Sequence, residues 1–81
     1  MSKNKYNTEG KKEGNWEEYW DNFNLWYKGY YTNDIMEGYW EFYYSDGTLM
    51  NRGSFIKGKK VGYWEYFTAE KIEFREYHLE F

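Results

Sequence analysis

The chain has 81 residues, of which 11 are Lys or Arg and 14 are Asp or Glu, so its formal net charge is −3. This length suits one small domain, and Leu, Ile, Val and Phe together supply only about 16% of it, a share typical of disordered chains. Aromatic residues, however, make up 27% of the chain, and disordered chains are poor in them. We therefore expect a folded domain with an aromatic core.

Several classes of protein are excluded by composition. No apolar run approaches the ~20 residues that a membrane-spanning helix needs, and the N-terminal residues lack the apolar segment of a secretion signal. The absence of cysteine excludes disulfides, thiolate metal sites and cysteine nucleophiles. We expect a cytoplasmic protein, in the host cytoplasm if it is phage-encoded. A pI near 5.1 disfavours broad nucleic-acid binding and favours a basic partner.

A repeat of 24 residues organises the chain. Four positions of its first half recur as Gly14, Gly38 and Gly62; Trp16, Trp40 and Trp64; Glu17, Glu41 and Glu65; and Tyr19, Tyr43 and Phe67. Three positions of its second half recur as Leu25 and Leu49; Gly29 and Gly53; and Tyr31, Phe55 and Leu79. The repeat predicts one domain of three units, at 10–33, 34–57 and 58–81, after a flexible leader at 1–9.

Each unit predicts a β-hairpin. The first strand of the second unit, 38–44, is rich in aromatic residues, and 45–48 contain an Asp-Gly turn signal. Short connections then lead from one hairpin to the next, which favours antiparallel pairing. We predict an all-β fold in which three hairpin repeats form a meander in one twisted antiparallel sheet. The expected turns lie near 21–24, 45–48 and 68–71, and the expected loops lie near 32–37 and 57–62.

The last unit departs from this pattern. Its turn at 68–71 lacks Gly, and Ile72 comes one residue early, whereas Leu79 is back in phase with the first two units. A bulge of one residue near 75–76 reconciles these positions. A terminal helix from Thr68 is the competing interpretation, and the sequence leaves both open.

The segment from Gly38 to Gly62 reads Gly-x-Trp-Glu-x-Tyr-Tyr-x-Asp-Gly-x-Leu-x-x-x-Gly-x-Phe-x-x-Gly-Lys-x-x-Gly. This pattern resembles the MORN repeat, and most of all its bacterial variant, which occurs in proteins often labelled antitoxin-like. The resemblance extends over 10–67 and fades over 68–81. It implies a MORN-like sheet that serves as a scaffold, a lipid-headgroup binder or a protein-binding module. It implies no catalytic residue.

The repeat places aromatic side chains on both faces of the sheet. We expect the three repeat tryptophans to stack across the hairpins as the core. The row formed by Tyr19, Tyr43 and Phe67 lies three residues further along each strand, and therefore on the opposite face. Because a single sheet cannot bury both of its faces, it curls, dimerises or keeps one aromatic face for a partner.

The candidate contact surface consists of large aromatics that the repeat does not require, together with nearby carboxylates. Trp and Tyr dominate binding hot spots, although the same side chains also serve to complete a core poor in Leu and Val. Phe23 and Tyr66 are two further aromatics of this kind. The predicted partner-binding residues, expected to be partly exposed beside one another, are Trp20, Trp26, Tyr30, Phe42, Tyr44, Glu17, Glu41 and Asp21.

No arrangement of residues indicates catalysis. Glycosidases use two nearby carboxylates, but repeated glutamates on a sheet more often pair with cations on neighbouring strands, such as Lys28 and Arg52. His78 is the only histidine, no nucleophile stands with a base, and no metal-ligand spacing occurs. We predict a protein that is not an enzyme and that needs neither cofactor nor metal.

Five lysines form an alternative anion-binding edge. They lie in segments predicted as loops between hairpins, which lack the spacing of a phosphate-binding loop. Lysines beside stacking aromatics suit single-stranded RNA or anionic lipid, whereas a solvated edge that discourages sheet aggregation needs no ligand. These residues are Lys11, Lys12, Lys57, Lys59 and Lys60.

Together these features predict a small binding module that inhibits or neutralises a larger protein with a basic surface, such as a nuclease or another nucleic-acid-handling protein. An antitoxin-like protein or a phage anti-defence inhibitor, including the anti-CRISPR class, fits the size and the lack of catalytic groups. One alternative is a module that binds RNA or anionic lipid through its lysines, although direct contact with either is less favoured. Another alternative is a scaffold that associates with itself as a homodimer.

Overall fold

The computed structural model describes residues 3–78, and these residues form seven strands and no helix. The strands are β1 (Lys5–Tyr6), β2 (Lys12–Tyr19), β3 (Leu25–Thr32), β4 (Ile35–Tyr43), β5 (Leu49–Ile56), β6 (Lys59–Phe67) and β7 (Ile72–Tyr77). They lie in one open sheet in chain order, and each pair of neighbours is antiparallel. The all-β antiparallel prediction is confirmed. No stretch of 3–78 is a helix long and apolar enough to cross a bilayer.

Two of the predicted turns share one backbone conformation. The Trp20 N–H donates to the Asn24 carbonyl and the Tyr44 N–H to the Thr48 carbonyl, both at 2.8 Å. Each loop therefore closes a hairpin with the same hydrogen bond, and each contains one residue with positive φ before its end. A turn of this kind, followed by a left-handed residue, is a common hairpin connection.

The connections between hairpins are tighter than predicted. Asn33 and Asp34 have φ values of 49° and 67°, and Lys57 and Gly58 have φ values of 51° and 79°. Two successive residues with positive φ define the two-residue turn that matches the twist of its flanking strands. The prediction of longer loops near 32–37 and 57–62 was wrong, because β4 and β6 begin directly after these turns.

The sheet begins inside the segment that we expected to be a flexible leader. Lys5 and Tyr6 pair with β2 as a short edge strand. The side chain of Asn4 extends this pairing, since its amide nitrogen donates to the Glu17 carbonyl at 2.7 Å and its amide oxygen accepts from the Glu17 N–H at 2.8 Å. A two-residue strand is too short to show the alternating pattern from which a strand is predicted.

The last hairpin pairs without the bulge predicted near 75–76. β7 is in regular register with β6 from Phe67 opposite Ile72 to Gly62 opposite Tyr77. Its strand structure also excludes the competing helix over 72–77.

Two differences from the earlier hairpins explain this register. The loop at 68–71 is one residue shorter, and the bulges found after Glu18 and Phe42 have no counterpart in the third hairpin. Together they advance the last strand by two residues, so Tyr77 takes the position that Tyr31 and Phe55 hold. Leu79, which we expected at this position, lies outside the described residues.

The core lies on one face of the sheet, which we call the tryptophan face. Its five buried aromatic side chains are Trp16, Tyr31, Trp40, Phe55 and Trp64. They alternate edge to face, since Tyr31 lies 5.5 Å from Trp16 and 5.0 Å from Trp40, and Phe55 lies 6.1 Å from Trp40 and 5.1 Å from Trp64, measured between ring centroids. The prediction that the three tryptophans form the core is confirmed. The prediction that they stack on one another was wrong, because Tyr31 and Phe55 lie between them, edge to face.

Two glycines make room for the indoles of Trp40 and Trp64. A Cβ atom on Gly29 would lie 1.9 Å from Cδ2 of Trp40, and a Cβ on Gly53 would lie 2.2 Å from Cδ2 of Trp64. Each indole therefore lies directly on the backbone of the preceding strand. The indole nitrogens of Trp40 and Trp64 donate to backbone carbonyls at 3.1 Å, whereas that of Trp16 is buried without a hydrogen-bond partner in the described part of the chain.

Candidate protein-binding surface

The face opposite the core carries the three repeat glutamates, and we call it the glutamate face. Glu41 accepts hydrogen bonds from the hydroxyls of Tyr43 at 2.6 Å and Tyr39 at 2.8 Å, and its carboxylate lies 3.4 Å from Nζ of Lys28. Burial raises the pKa of Glu41, but the two hydroxyls and the lysine outweigh burial, so this pKa lies below its ordinary value. Burial and the bond to Glu41 raise the pKa of Tyr43 to about 12.

The other two repeat glutamates are paired in the same way. Glu17 accepts from the Tyr19 hydroxyl at 2.6 Å and lies 3.1 Å from Nζ of Lys3, and these two contacts lower the pKa of its carboxyl. Glu65 forms an ion pair with Arg52 on the neighbouring strand. The predicted pairing of the repeat carboxylates with cations is confirmed, so their charges are largely neutralised within the sheet.

The predicted contact residues do not form one patch. Phe42 lies on the tryptophan face, with its ring 6.0 Å from that of Trp40 and 6.4 Å from that of Trp64. It alternates in phase with Trp40 along β4, so it completes the core. Tyr30, with 44% of its side chain exposed, lies on the glutamate face with Glu17 and Glu41.

The other four predicted residues come together at one end of the sheet. We call it the long-loop end, and it consists of the loops 20–24, 44–48 and 68–71 with the adjoining strand ends. Trp26 is the extra residue of the bulge in the first hairpin, and its ring lies 4.8 Å from that of Trp20. The indole nitrogen of Trp20 donates to the Tyr43 carbonyl at 3.1 Å, and the hydroxyl of Tyr44 donates to the Phe67 carbonyl at 2.9 Å. Trp20 and Tyr44 thus each fix their own loop to the next hairpin.

Phe23 is a residue of the long-loop end that we did not select from the sequence. Its φ is 73°, and its side chain is 87% exposed. The equivalent residue of the second loop is Gly47, with a φ of 92°. The signal was available, because Phe23 and Gly47 are 24 residues apart and a hairpin loop needs a left-handed residue at this point.

The long-loop end is acidic. Asp46 accepts from the Thr48 hydroxyl at 2.6 Å and from the Thr48 N–H at 2.9 Å, which lower the pKa of its carboxyl and commit it to the turn. Asp21 is exposed and makes no ion pair within residues 3–78. Its carboxylate is therefore available to a cation from outside the chain.

The five predicted lysines lie at the opposite end of the sheet. The prediction that they belong to loops was wrong for three of them, because Lys12 begins β2 and Lys59 and Lys60 begin β6. Nζ of Lys12 lies 5.1 Å from the ring of Trp16, and Nζ of Lys60 lies 4.8 Å from the ring of Trp64. These two ammonium groups cover the outer tryptophans, while Lys11, Lys57 and Lys59 are exposed.

Comparison of this chain with protein-family models, with curated proteins and with solved structures gives no match. Two regions qualify as contact surfaces by exposure, namely the long-loop end and the glutamate face. The first has the unpaired carboxylate of Asp21 beside its aromatic rings, and the second has its three repeat glutamates paired with cations.

Proposed function

We propose that the chain is a small protein-binding module that inhibits or neutralises a larger protein with a basic surface, and that it binds through the long-loop end. In this proposal the chain acts by contact rather than by catalysis. The meander of three MORN-like hairpins serves as a rigid scaffold for the loops. The partner is a nucleic-acid-handling protein in the cytoplasm, of the kind targeted by antitoxin-like or phage anti-defence proteins.

The observation that supports this proposal best is the conformation of Phe23. A left-handed backbone costs a bulky residue about 1–2 kcal/mol relative to glycine. The second hairpin avoids this cost with Gly47 at the same position, whereas the first hairpin accepts it and exposes a phenyl ring. Strained residues of this kind occur preferentially at functional sites. A ring that the fold does not need is best explained by a contact with another molecule.

The surroundings of Phe23 suit a basic partner. Trp20 and Trp26 add two large rings at the same end, and Asp21 and Asp46 place negative charge on the same loops. Aromatic side chains that enter an apolar pocket supply most of the binding energy in protein interfaces, and charges at the rim speed association with a surface of opposite sign. Proteins that handle nucleic acid have such basic surfaces.

The test separates stability from binding. Phe23→Gly should raise the free energy of unfolding by about 1 kcal/mol, because it relieves the left-handed phenylalanine. The same change should weaken binding to a partner, captured from the native host and purified, by ~10-fold or more. The wild-type chain should also reduce that partner's activity on nucleic acid. Phe74→Ser, which removes an exposed ring from the glutamate face, is the matched control and should leave the affinity unchanged.

The proposal is contradicted if Phe23→Gly binds the partner as tightly as the wild-type chain. It is also contradicted if charge reversal at Lys57 and Lys59 abolishes activity while the aromatic variants retain it. That second result would favour binding of RNA or anionic lipid through the exposed lysines.

A second candidate function is self-association. β7 is the last strand of the sheet among residues 3–78, and on it Ile72 and Phe74 are 51% and 63% exposed. An edge strand with exposed apolar side chains is a template for pairing with a second chain. Light scattering decides this point, because a molar mass of one chain at the working concentration excludes a homodimeric scaffold.

A further inference from the structure

A pocket at the long-loop end lies between the first and second loops. It is lined by Tyr19, Trp20, Asp21, Asn22, Trp26 and Ser45. It therefore combines three aromatic rings with one carboxylate, and it belongs to the surface proposed above for partner binding.

Hydrogen bonds hold the walls of this pocket in place. The side-chain amides of Asn22 and Asn24 both donate to the Ser45 carbonyl at 2.8 Å, so the two loops are joined. Trp20 is fixed by its bond to the Tyr43 carbonyl, and Trp26 packs on Trp20 with the two ring planes 31° apart. The rings are thus positioned before any ligand binds, which reduces the entropic cost of binding.

The charges of the pocket favour a cation. The side chain of Asp21 is on the surface, and its carboxylate has no ion-pair partner among the described residues. Aromatic faces attract cations through the negative potential of the ring. An exposed indole beside a free carboxylate is therefore a site for a positively charged group.

The related pocket between the second and third loops lacks these features. It is lined by Tyr44, Asp46, Thr48, Leu49, Phe67, Thr68 and Ala69. Tyr44 replaces Trp20, no tryptophan is present, and the carboxylate of Asp46 already accepts two hydrogen bonds from Thr48. Asp46 stands at the repeat position of Asn22, not of Asp21, so this second pocket is a control in which the carboxylate is occupied by its own loop.

We propose that the first pocket binds an arginine side chain of the partner protein, with its guanidinium stacked on the exposed indole of Trp26 and hydrogen-bonded to Asp21. This inference rests on the proposed function, since it assigns one contact within the same binding surface. Arginine fits better than lysine, because its planar guanidinium both stacks on aromatic rings and pairs with a carboxylate through two parallel hydrogen bonds.

The experiment uses small probes and does not require the partner. N-acetyl-arginine methylamide is titrated into the full chain, and the ¹H–¹⁵N signals of the five indoles are followed. The signals of Trp20 and Trp26 should move with saturation, while those of the three buried tryptophans stay. The citrulline analogue, which has the same shape and no charge, should move none. Asp21→Asn should weaken arginine binding ~5-fold or more, whereas Asp46→Asn should leave it unchanged.

Three results would overturn the inference. They are an absence of shifts at Trp20 and Trp26, equal shifts with the citrulline analogue, and equal affinity for N-acetyl-lysine methylamide. Trp26→Leu keeps the carboxylate and removes one ring, so an unchanged affinity in this variant also contradicts the stacked geometry. The proposed function is tested separately by Phe23→Gly and the captured partner. If Phe23→Gly loses partner binding but the wild-type pocket does not bind the arginine probe, the proposed function stands and only the arginine contact is removed.

Discussion

The two faces of the sheet use the same repeat in opposite ways. On the tryptophan face, Trp40 and Trp64 are 0% exposed and lie on glycine backbone. On the glutamate face, Glu41 and its counterparts stay partly exposed and are held by tyrosine hydroxyls and cations. Burying a large apolar side chain contributes roughly 1.5–3 kcal/mol, whereas an exposed ion pair contributes about 0–1 kcal/mol. A sheet one layer thick therefore obtains its stability from one face.

The sharpest test of this difference is Trp40→Ala. It should lower the free energy of unfolding by ~3–5 kcal/mol, which approaches the whole stability of a domain of this size. Trp16→Ala should cost less, because Trp16 is near the edge of the sheet and its buried N–H has no hydrogen-bond partner within 3–78. Urea denaturation followed by circular dichroism measures both. Equal and small losses would contradict a core built around the central tryptophan.

The close contact between indole and backbone predicts an unusual sensitivity at Gly29. Gly29→Ala should cost ~2–3 kcal/mol, because its Cβ would overlap the ring of Trp40, which has no room to move. Asn15→Ala, on the exposed glutamate face, is the control and should change stability by about 0.5 kcal/mol or less. If both changes cost the same in urea denaturation, the indole does not lie on the glycine.

On the glutamate face the expected effects are smaller. Glu41→Gln should cost about 1 kcal/mol, since it weakens the bonds from two tyrosine hydroxyls and removes the ion pair with Lys28. Glu73→Gln, on the other face at the edge strand β7, breaks the more exposed pair with Lys71 and should have almost no effect. The same denaturation measurement compares the two variants, and a larger loss for Glu73→Gln would contradict the role given to the tyrosines.

The pH dependence of stability should separate the two faces further. Because the pKa values of Glu17 and Glu41 are lowered on folding, their contribution is present above pH 4.5 and is lost as the pH falls through the folded values. Burial first, and then neighbouring groups, raise the pKa values of Tyr31 and Tyr43 to about 12. Their contribution is therefore complete below pH 10.0 and is lost as the pH rises towards 12. Urea midpoints across this range, repeated for Glu41→Gln, should show a shallower acid limb and a smaller loss of stability at high pH, because part of the raised pKa of Tyr43 comes from Glu41 while that of Tyr31 does not.

The sequence predicts the antiparallel sheet and the core because the repeat copies both residue types and spacing. It does not predict the two-residue turns at 33–34 and 57–58. Asn-Asp and Lys-Gly are weak turn signals, and the turns are recognised only from the positive φ of both residues in each pair. The register of β7 was also missed. The shorter loop is visible in the sequence as the early position of Ile72, whereas the missing bulge depends on how the strands pair and leaves no mark in the sequence.

The candidate site was predicted in part. Trp20 and Trp26 were selected as aromatics that the repeat does not require and Asp21 as a carboxylate near them, and the structure brings the three together. Phe42 was placed in the contact surface because of its residue type, although its period-two phase with Trp40 indicates the core. Phe23 was noted as an extra aromatic but was not selected, because its equivalence with Gly47 becomes informative only when the left-handed backbone of the loop is known.

The pairing of each described strand with its neighbours in the chain affects how the protein folds. Contacts between such strands are close in sequence, and proteins with local contacts fold faster than those with distant ones. Each hairpin can form and then add to the sheet as synthesis proceeds, so the growing chain never waits for a distant partner strand. Amide hydrogens should exchange most slowly in β4 and β5, the middle two of the six longer strands, and fastest in the edge strands β1 and β7.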